Sequence, residues 1–164
     1  RAAPAWAIGE AAYHAEGHAG KRFGLVQTIL LAEGKDPGAL LRAMREGRMY
    51  ALRRTPEAAY VLSQFQAALP GQPPAEAGGR LAAAARERPE VRARVTSATG
   101  TPLPVEVRLI RSGRVVHRAT ATTPLALRYQ DDPVPPGARL VYRLEAQGPA
   151  GQILSNPVFV LGGA

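Results

Sequence analysis

The chain has 164 residues, 46% of them apolar and 21% charged, which is typical of a globular protein of one ordinary domain. It contains no cysteine, which excludes disulfides and thiolate metal sites, and no apolar run of about 18 residues that would predict a membrane-spanning helix. The net charge is +8, but the arginines are spread along the chain without interleaved aromatic residues, so no nucleic acid partner is expected.

The first segment combines short apolar runs with a polar loop. Residues 5–9 and 24–32 are apolar runs that predict buried strands. Between them, the polar and glycine-rich residues 10–22 predict a loop.

A helix is predicted after the second of these strands. Asp36 can cap the free N–H groups, and Pro37 suits the first helical position because its missing N–H costs nothing there. Gly47 predicts the end of the helix, and residues 48–53 follow as a strand. Three apolar side chains fall on one face of this helix: Leu40, Leu41 and Met44. The strand–helix–strand order is α/β in character.

The composition of the middle of the chain predicts a boundary between two structural units. Residues 59–69 are strand-like, whereas proline and glycine dominate much of the stretch that follows, so 70–89 is predicted as a linker or long loop. The expected organisation is therefore a first unit at residues 1–69 and a second unit at 90–164.

In the second unit, apolar and polar residues alternate along the chain. Val91, Ala93 and Val95 alternate with arginines, and Gly113 suits a hairpin turn within 111–114. Several such short strands, separated by proline and glycine turns, predict an immunoglobulin-like antiparallel β-sandwich. The fold class expected for the whole chain is α+β, mostly β.

Candidate metal ligands cluster in the first loop. Glu10, His14, Glu16 and His18 lie within nine positions, and imidazole and carboxylate groups are suitable ligands for Zn, Mn or Fe. On spacing alone, an exposed polar loop without any ligand role is the favoured interpretation, and the metal site is the alternative. The third histidine, His117, has no acidic neighbour in sequence and is expected to be an ordinary strand residue.

Three motifs occur in an order that resembles a known family. They are "ALLRAMREGRMYALR" at 39–53, "VEVRLIRSGRVV" at 105–116 and "ILSNPVFV" at 153–160. Together they resemble the end of the barrel and the C-terminal β-domain of PHP (polymerase and histidinol phosphatase) proteins. The resemblance implies that residues 1–69 are the C-terminal part of a distorted (β/α)7 barrel.

The same resemblance implies a site for divalent metal, either Zn, Mn or Fe. The family's last Asp-x-His pair falls on Ala12 and His14, so His14 is the implied ligand and the aspartate is replaced by alanine. Glu10 and His18 are neighbouring candidates of lower rank. The other ligands of the family would lie upstream, so the expected partner is the rest of the PHP barrel or a partner chain.

Two functions follow as expectations. The first is the C-terminal portion of a PHP-like metal-dependent phosphoesterase or related hydrolase, with this chain supplying at most part of the metal site and an accessory β-domain. The alternative is a non-catalytic β-sandwich that serves as a packing or protein-binding module.

Overall fold

The computed structural model describes residues 4–11, 14–15, 17–18 and 22–163. Strands dominate this part of the chain, which confirms the mostly β class. The elements are, in order, β1 (Val26–Leu30), α1 (Pro37–Glu46), β2 (Met49–Arg54), β3 (Tyr60–Ala68), β4 (Ala75–Glu76), β5 (Arg80–Ala83), β6 (Glu90–Ser97), β7 (Pro104–Arg111), β8 (Arg114–Thr122), β9 (Leu125–Gln130), β10 (Arg139–Gly148), β11 (Gly151–Ser155) and β12 (Val158–Gly162). Over the same residues, no helix has the length and apolar character needed to cross a membrane.

The larger sheet is organised around the long strand β10. One edge of β10 pairs with β7, which in turn pairs with β8; the other edge pairs with β11 and then with β12. Beyond β11 the sheet continues to β2 and β1, and all of these pairs are antiparallel. Beyond β12 lies β5, which runs parallel to it.

The smaller sheet has the antiparallel order β4-β3-β6-β9, and it shares its core with the larger sheet. In β6 the predicted alternation is confirmed: Val91, Ala93 and Val95 are buried and the intervening arginines are exposed. The core draws on both sheets through these side chains, among others: Tyr60, Leu62, Phe65, Val95, Leu127, Val107, Leu109, Leu144, Ile153 and Val160.

The single helix of the described residues begins and ends as predicted. The Asp36 carboxylate accepts the N–H of Ala39 at 3.0 Å, and Gly47 ends the helix with φ 72°. The buried face is nevertheless formed by the small residues Ala39 and Ala43. On the apolar face that the sequence indicates, Leu41 and Met44 are 49% and 44% exposed.

The strand–helix–strand segment differs from a barrel unit. In an α/β barrel, neighbouring strands joined by a helix are parallel. Here β1 and β2 are adjacent and antiparallel, with Ile29 opposite Tyr50. Residues 26–54 therefore form the edge of a mainly antiparallel sheet.

Residues 5–9, predicted as a buried strand, are not a strand. The physical reason is that the backbone polar groups of Ala7 and Gly9 are satisfied by side chains of other segments instead of by a strand ladder. Ala7 is hydrogen-bonded to the Asn156 amide, and Gly9 to the Thr28 hydroxyl.

Residues 70–89, predicted as a linker or long loop, contain β4 and β5. Gly78 allows a close backbone approach in this stretch: its N–H donates to the Pro157 carbonyl at 2.7 Å, and a Cβ there would lie 1.9 Å from the Glu46 carbonyl oxygen. Strands from all three predicted segments share the sheets, since β2 pairs with β11, β3 with β6, and β5 with β12.

Candidate functional site

The segment that leads to the candidate metal ligands is held against the larger sheet by two side chains, those of Asn156 and Thr28. The Asn156 amide oxygen accepts the N–H of Ala7 at 2.8 Å, and its NH2 group donates to the Ala7 carbonyl at 3.2 Å. The Thr28 hydroxyl accepts the Gly9 N–H at 2.9 Å and donates to the Gly9 carbonyl at 3.2 Å. These contacts fix the backbone of the segment immediately before Glu10.

Trp6 adds a packing contact to the same segment. Its indole N–H donates to the Arg45 carbonyl at 2.9 Å, which satisfies one of the free carbonyls near the end of α1. Its ring lies against Gly47, where a Cβ would be 2.4 Å from an indole carbon. The Phe159 ring is also close, at 6.2 Å between ring centroids. Only glycine at position 47 leaves room for this indole.

Two of the motifs identified in the sequence meet at this point. Gly47 and Met49 belong to the motif at 39–53, and Asn156 belongs to the motif at 153–160; the Asn156 N–H donates to the Met49 carbonyl. The remaining motif, at 105–116, forms the hairpin of β7 and β8 on the other edge of β10. The first and third motifs in chain order thus hold the segment that precedes the loop.

The structure brings two of the predicted metal ligands together. His14 and His18 are exposed, and their imidazole rings are 5.9 Å apart between centroids at an interplanar angle of 87°. At metal–nitrogen distances of about 2.0–2.1 Å, two imidazoles on one tetrahedral zinc have centroids roughly 5 Å apart. The separation of the two rings is thus close to that of two imidazoles on one ion.

A third ligand is not provided by the part of the chain that the structure describes. Glu10 is exposed, and no group of three His, Asp or Glu side chains suitable for a metal ion is found there. Ala12, which stands at the position of the family's aspartate, and Glu16 lie outside the described residues. Two imidazoles alone form an incomplete metal site.

A cavity of about 230 Å³ lies beside this loop. Its lining includes Ala11, which follows Glu10, and the segment 22–27 at the beginning of β1. Arg22 is the charged residue in the lining, so the cavity offers a cation to an anionic group near the loop.

His117 and Arg48 have local roles. His117 lies on β8 of the larger sheet, and its ring centroid is 5.9 Å from that of Tyr129 on β9 of the smaller sheet, which is ordinary packing for a strand residue. Arg48, which follows the end of α1, donates to Glu33 at 3.0 Å.

A buried polar cluster links the two sheets around Asp131. Its carboxylate accepts from the Arg111 guanidinium, from the Tyr142 hydroxyl, and from the Tyr129 hydroxyl at 3.2 Å. Burial, followed by the hydrogen bond to Asp131, raises the pKa of Tyr142 well above its usual value, so the phenol stays protonated as a donor. Because every buried polar group named here has a partner, the cluster is a structural connection between β7, β9 and β10.

Several of these residues are not singled out by the sequence. Trp6 and Asn156 act through contacts with segments remote in sequence, and no local pattern gives such pairing. One signal was available: Asn156 is followed by proline within the terminal motif, a combination that interrupts a strand and frees an amide side chain for backbone contacts.

Comparison of the chain with protein-family models, with curated proteins and with solved structures finds no match. The resemblance to PHP proteins therefore stays a prediction made from the motifs. The functional interpretation depends on that resemblance and on the geometry around Ala7, His14 and His18.

Proposed function

We propose that this chain is the C-terminal portion of a PHP-like metal-dependent phosphoesterase, in which the two-sheet body positions a histidine-bearing loop at the metal site. The observation that carries the proposal is the pair of adjacent imidazoles of His14 and His18. The contacts of Asn156 and Gly47 with the segment that precedes these histidines support the proposal, because Gly47 and Asn156 belong to motifs on which the resemblance rests.

In this proposal His14 is the principal ligand, His18 is a second ligand, and Glu10 supplies a nearby carboxylate. Neutral imidazole nitrogen is a suitable ligand for Zn, Mn or Fe. A bound divalent ion would activate water and stabilise charge on a phosphoryl group. Arg22, in the cavity beside the loop, would orient an anionic phosphoester through its guanidinium.

The remaining ligands would come from the rest of the PHP barrel or from a partner chain. The barrel itself would lie in that remainder, because residues 26–54 have antiparallel pairing. The proposal includes the finer fold assignment that strands β6 to β12 form an immunoglobulin-like sandwich, supported by the antiparallel pairs and the core shared by the two sheets.

The test compares metal content and activity in the complete protein that carries this chain. Wild type, His14→Ala, His18→Ala and the control His117→Ala are incubated with Zn or Mn, desalted, and analysed for bound metal and for hydrolysis of bis(p-nitrophenyl) phosphate. Loss of an outer-shell partner already costs about 10–100-fold in metal affinity or activity, so the His14 change is expected to cost at least that. Equal metal content and equal activity in His14→Ala and His117→Ala would show that the assignment is wrong.

A second candidate, a non-catalytic packing or protein-binding module, is favoured by the exposed apolar side chains of α1. Leu41 and Met44 are three positions apart, so they are neighbours on the helix surface, and both are about half exposed. The proposed occupant of this face is the rest of the barrel or a partner chain.

This candidate is tested with Leu41→Ser combined with Met44→Ser. The control is Val115→Ser, whose side chain is similarly exposed at 48% but lies on the β8 hairpin. In limited proteolysis of the complete protein, the protease should cut the chain that precedes the two-sheet body faster in the double variant than in the control. The difference should be the same with or without chelator. Equal cleavage rates in both variants would remove the packing role.

A further inference from the structure

A second region with binding chemistry lies on the larger sheet, at the end of β12. A cleft of about 580 Å³ is lined by Pro4 of the N-terminal segment, by Arg80, Arg139 and Phe159, and by the turn that precedes β10. None of the residues that line it is His, Asp or Glu, so it is separate from the candidate metal ligands.

Two arginines converge on one aromatic ring in this cleft. The Arg139 guanidinium carbon is 4.8 Å from the centroid of the Phe159 ring, and that of Arg80 is 5.9 Å from it. The sheet fixes this arrangement, because Arg80 is the partner of Phe159 across the parallel β5–β12 pair and Arg139 lies on the neighbouring strand β10.

Both guanidiniums keep their hydrogen-bonding capacity. Within the described part of the chain, neither Arg80 nor Arg139 forms an ion pair or a side-chain hydrogen bond. Contact with the face of an aromatic ring leaves the five N–H donors of a guanidinium, which lie in its plane, available. Two cations held near one ring without a counter-charge repel each other, and a doubly charged anion between them would replace that repulsion by attraction.

We propose that this cleft binds a phosphate group, either as free phosphate or as the head group of a phosphate monoester. Guanidinium donors match phosphate oxygens in pairs, which makes arginine the side chain best suited to this recognition. The cleft is larger than a phosphate ion, and its volume accommodates an organic substituent as well. The proposal goes beyond the proposed hydrolase function and requires no metal.

Trp6 provides a built-in reporter for this site. It is the only tryptophan of the chain, and its ring is 6.2 Å from that of Phe159. Trp6 emission is followed while inorganic phosphate or glycerol 2-phosphate is added to this 164-residue chain, at constant ionic strength and with EDTA present. The chelator removes any contribution from the candidate metal site, so failure here is distinguishable from failure of the hydrolase proposal.

The expected result is a saturable change in emission in wild type, weakened about tenfold or more in Arg80→Gln and in Arg139→Gln, because each removes charge-assisted hydrogen bonds. The control is Arg94→Gln on β6, which is exposed and has no ion pair in the described residues; its affinity should equal that of wild type. Tighter binding of glycerol 2-phosphate than of phosphate assigns the site to a monoester, and equal binding assigns it to free phosphate.

Two outcomes would overturn the proposal. One is a linear, unsaturable response of wild type to both ligands. The other is a loss of affinity in Arg94→Gln equal to that in Arg139→Gln, which would indicate attraction by net charge alone. The variant Arg139→Lys serves as a further check, because it keeps the charge but loses the paired donors; affinity equal to wild type would exclude recognition by the guanidinium.

Discussion

Asn156 is joined to Ala7 by two hydrogen bonds across a sequence separation of 149 residues. The amide side chain contacts both the N–H and the carbonyl of Ala7, which is the pattern that a neighbouring strand would otherwise supply. The side chain of Asn156 is buried whereas Ala7 is exposed, so partly buried hydrogen bonds join the two ends of the described chain. The loop with His14 and His18 follows directly after this fastening.

Replacing Asn156 by alanine should release the segment 4–9. The change removes both hydrogen bonds to the backbone of Ala7, and we expect the free energy of unfolding to fall by about 1–3 kcal/mol. The control is Gln152→Ala on β11, the strand that ends just before Asn156, and we expect a change within about 0.5 kcal/mol there. Urea unfolding gives both values, and hydrogen exchange at Ala7 and Gly9 should accelerate only in Asn156→Ala. Unchanged exchange at these amides would show that the segment is held by other contacts.

A methyl group at Gly47 should displace Trp6. Gly47 has φ 72°, and its added Cβ would lie 2.4 Å from the indole. Gly113 has φ 87° with open space around it, so Gly113→Ala is a matched control for the backbone strain alone. We expect Gly113→Ala to cost roughly 1–2 kcal/mol, and Gly47→Ala to cost more. The tryptophan emission maximum should shift to longer wavelength only in Gly47→Ala; an unshifted maximum would contradict the contact.

Local patterns predict local structure well in this protein. The cap at Asp36, the end of α1 at Gly47 and the alternation in β6 are all set by residues within a few positions, and all three are confirmed. The side-chain period does not report which strand is the neighbour or in which direction it runs. The antiparallel pairing of β1 with β2 and the parallel pairing of β5 with β12 were for that reason not predicted.

The two candidate sites also differ in how far the sequence predicts them. His14 and His18 are four positions apart, and their proximity is a local property that the sequence could suggest. The phosphate cleft combines Arg80 and Arg139 from separate strands, and only the register of β5, β12 and β10 brings them to one ring. Glycines are the most misleading signal in this sequence. Those within 70–89 indicate a flexible linker, whereas in the structure Gly78 allows two backbone segments to approach closely.

The buried carboxylate of Asp131 should be a strong contributor to stability. In Asp131→Asn the Arg111 guanidinium loses its counter-charge. Breaking a fully buried pair costs about 3–5 kcal/mol, and we expect roughly 2–3 kcal/mol here because the side chain of Arg111 is partly hydrated. The control Asp132→Asn changes an exposed carboxylate and should alter the free energy of unfolding by less than about 0.5 kcal/mol. Equal urea midpoints for the two variants would contradict a structural role for the cluster.

Glu90 should make the stability dependent on pH in the acid range. Its carboxylate lies between Arg92 of β6 and Arg128 of β9, which face each other across the two strands, and the Arg128 Nε is 2.6 Å away. Burial raises the pKa of Glu90, but hydrogen bonds from Arg128 and Arg92 outweigh burial and leave the pKa below its usual value. Near the usual pKa of a glutamate, the folded state therefore binds fewer protons than the unfolded state.

The sign of the effect follows from this difference in bound protons. With the folded pKa lowered, the contribution of Glu90 is complete above the unfolded pKa of about 4.3 and is lost as the pH falls through the folded value. Glu90→Gln should consequently be less stable than wild type at pH 7, and the gap should narrow at pH 3. The matched control is Glu57→Gln, which alters an exposed carboxylate and should track wild type at both values. Urea unfolding of the three proteins between pH 7 and pH 3 measures the gap, and a gap that stays constant over this range would show that the carboxylate has no altered pKa in the folded protein.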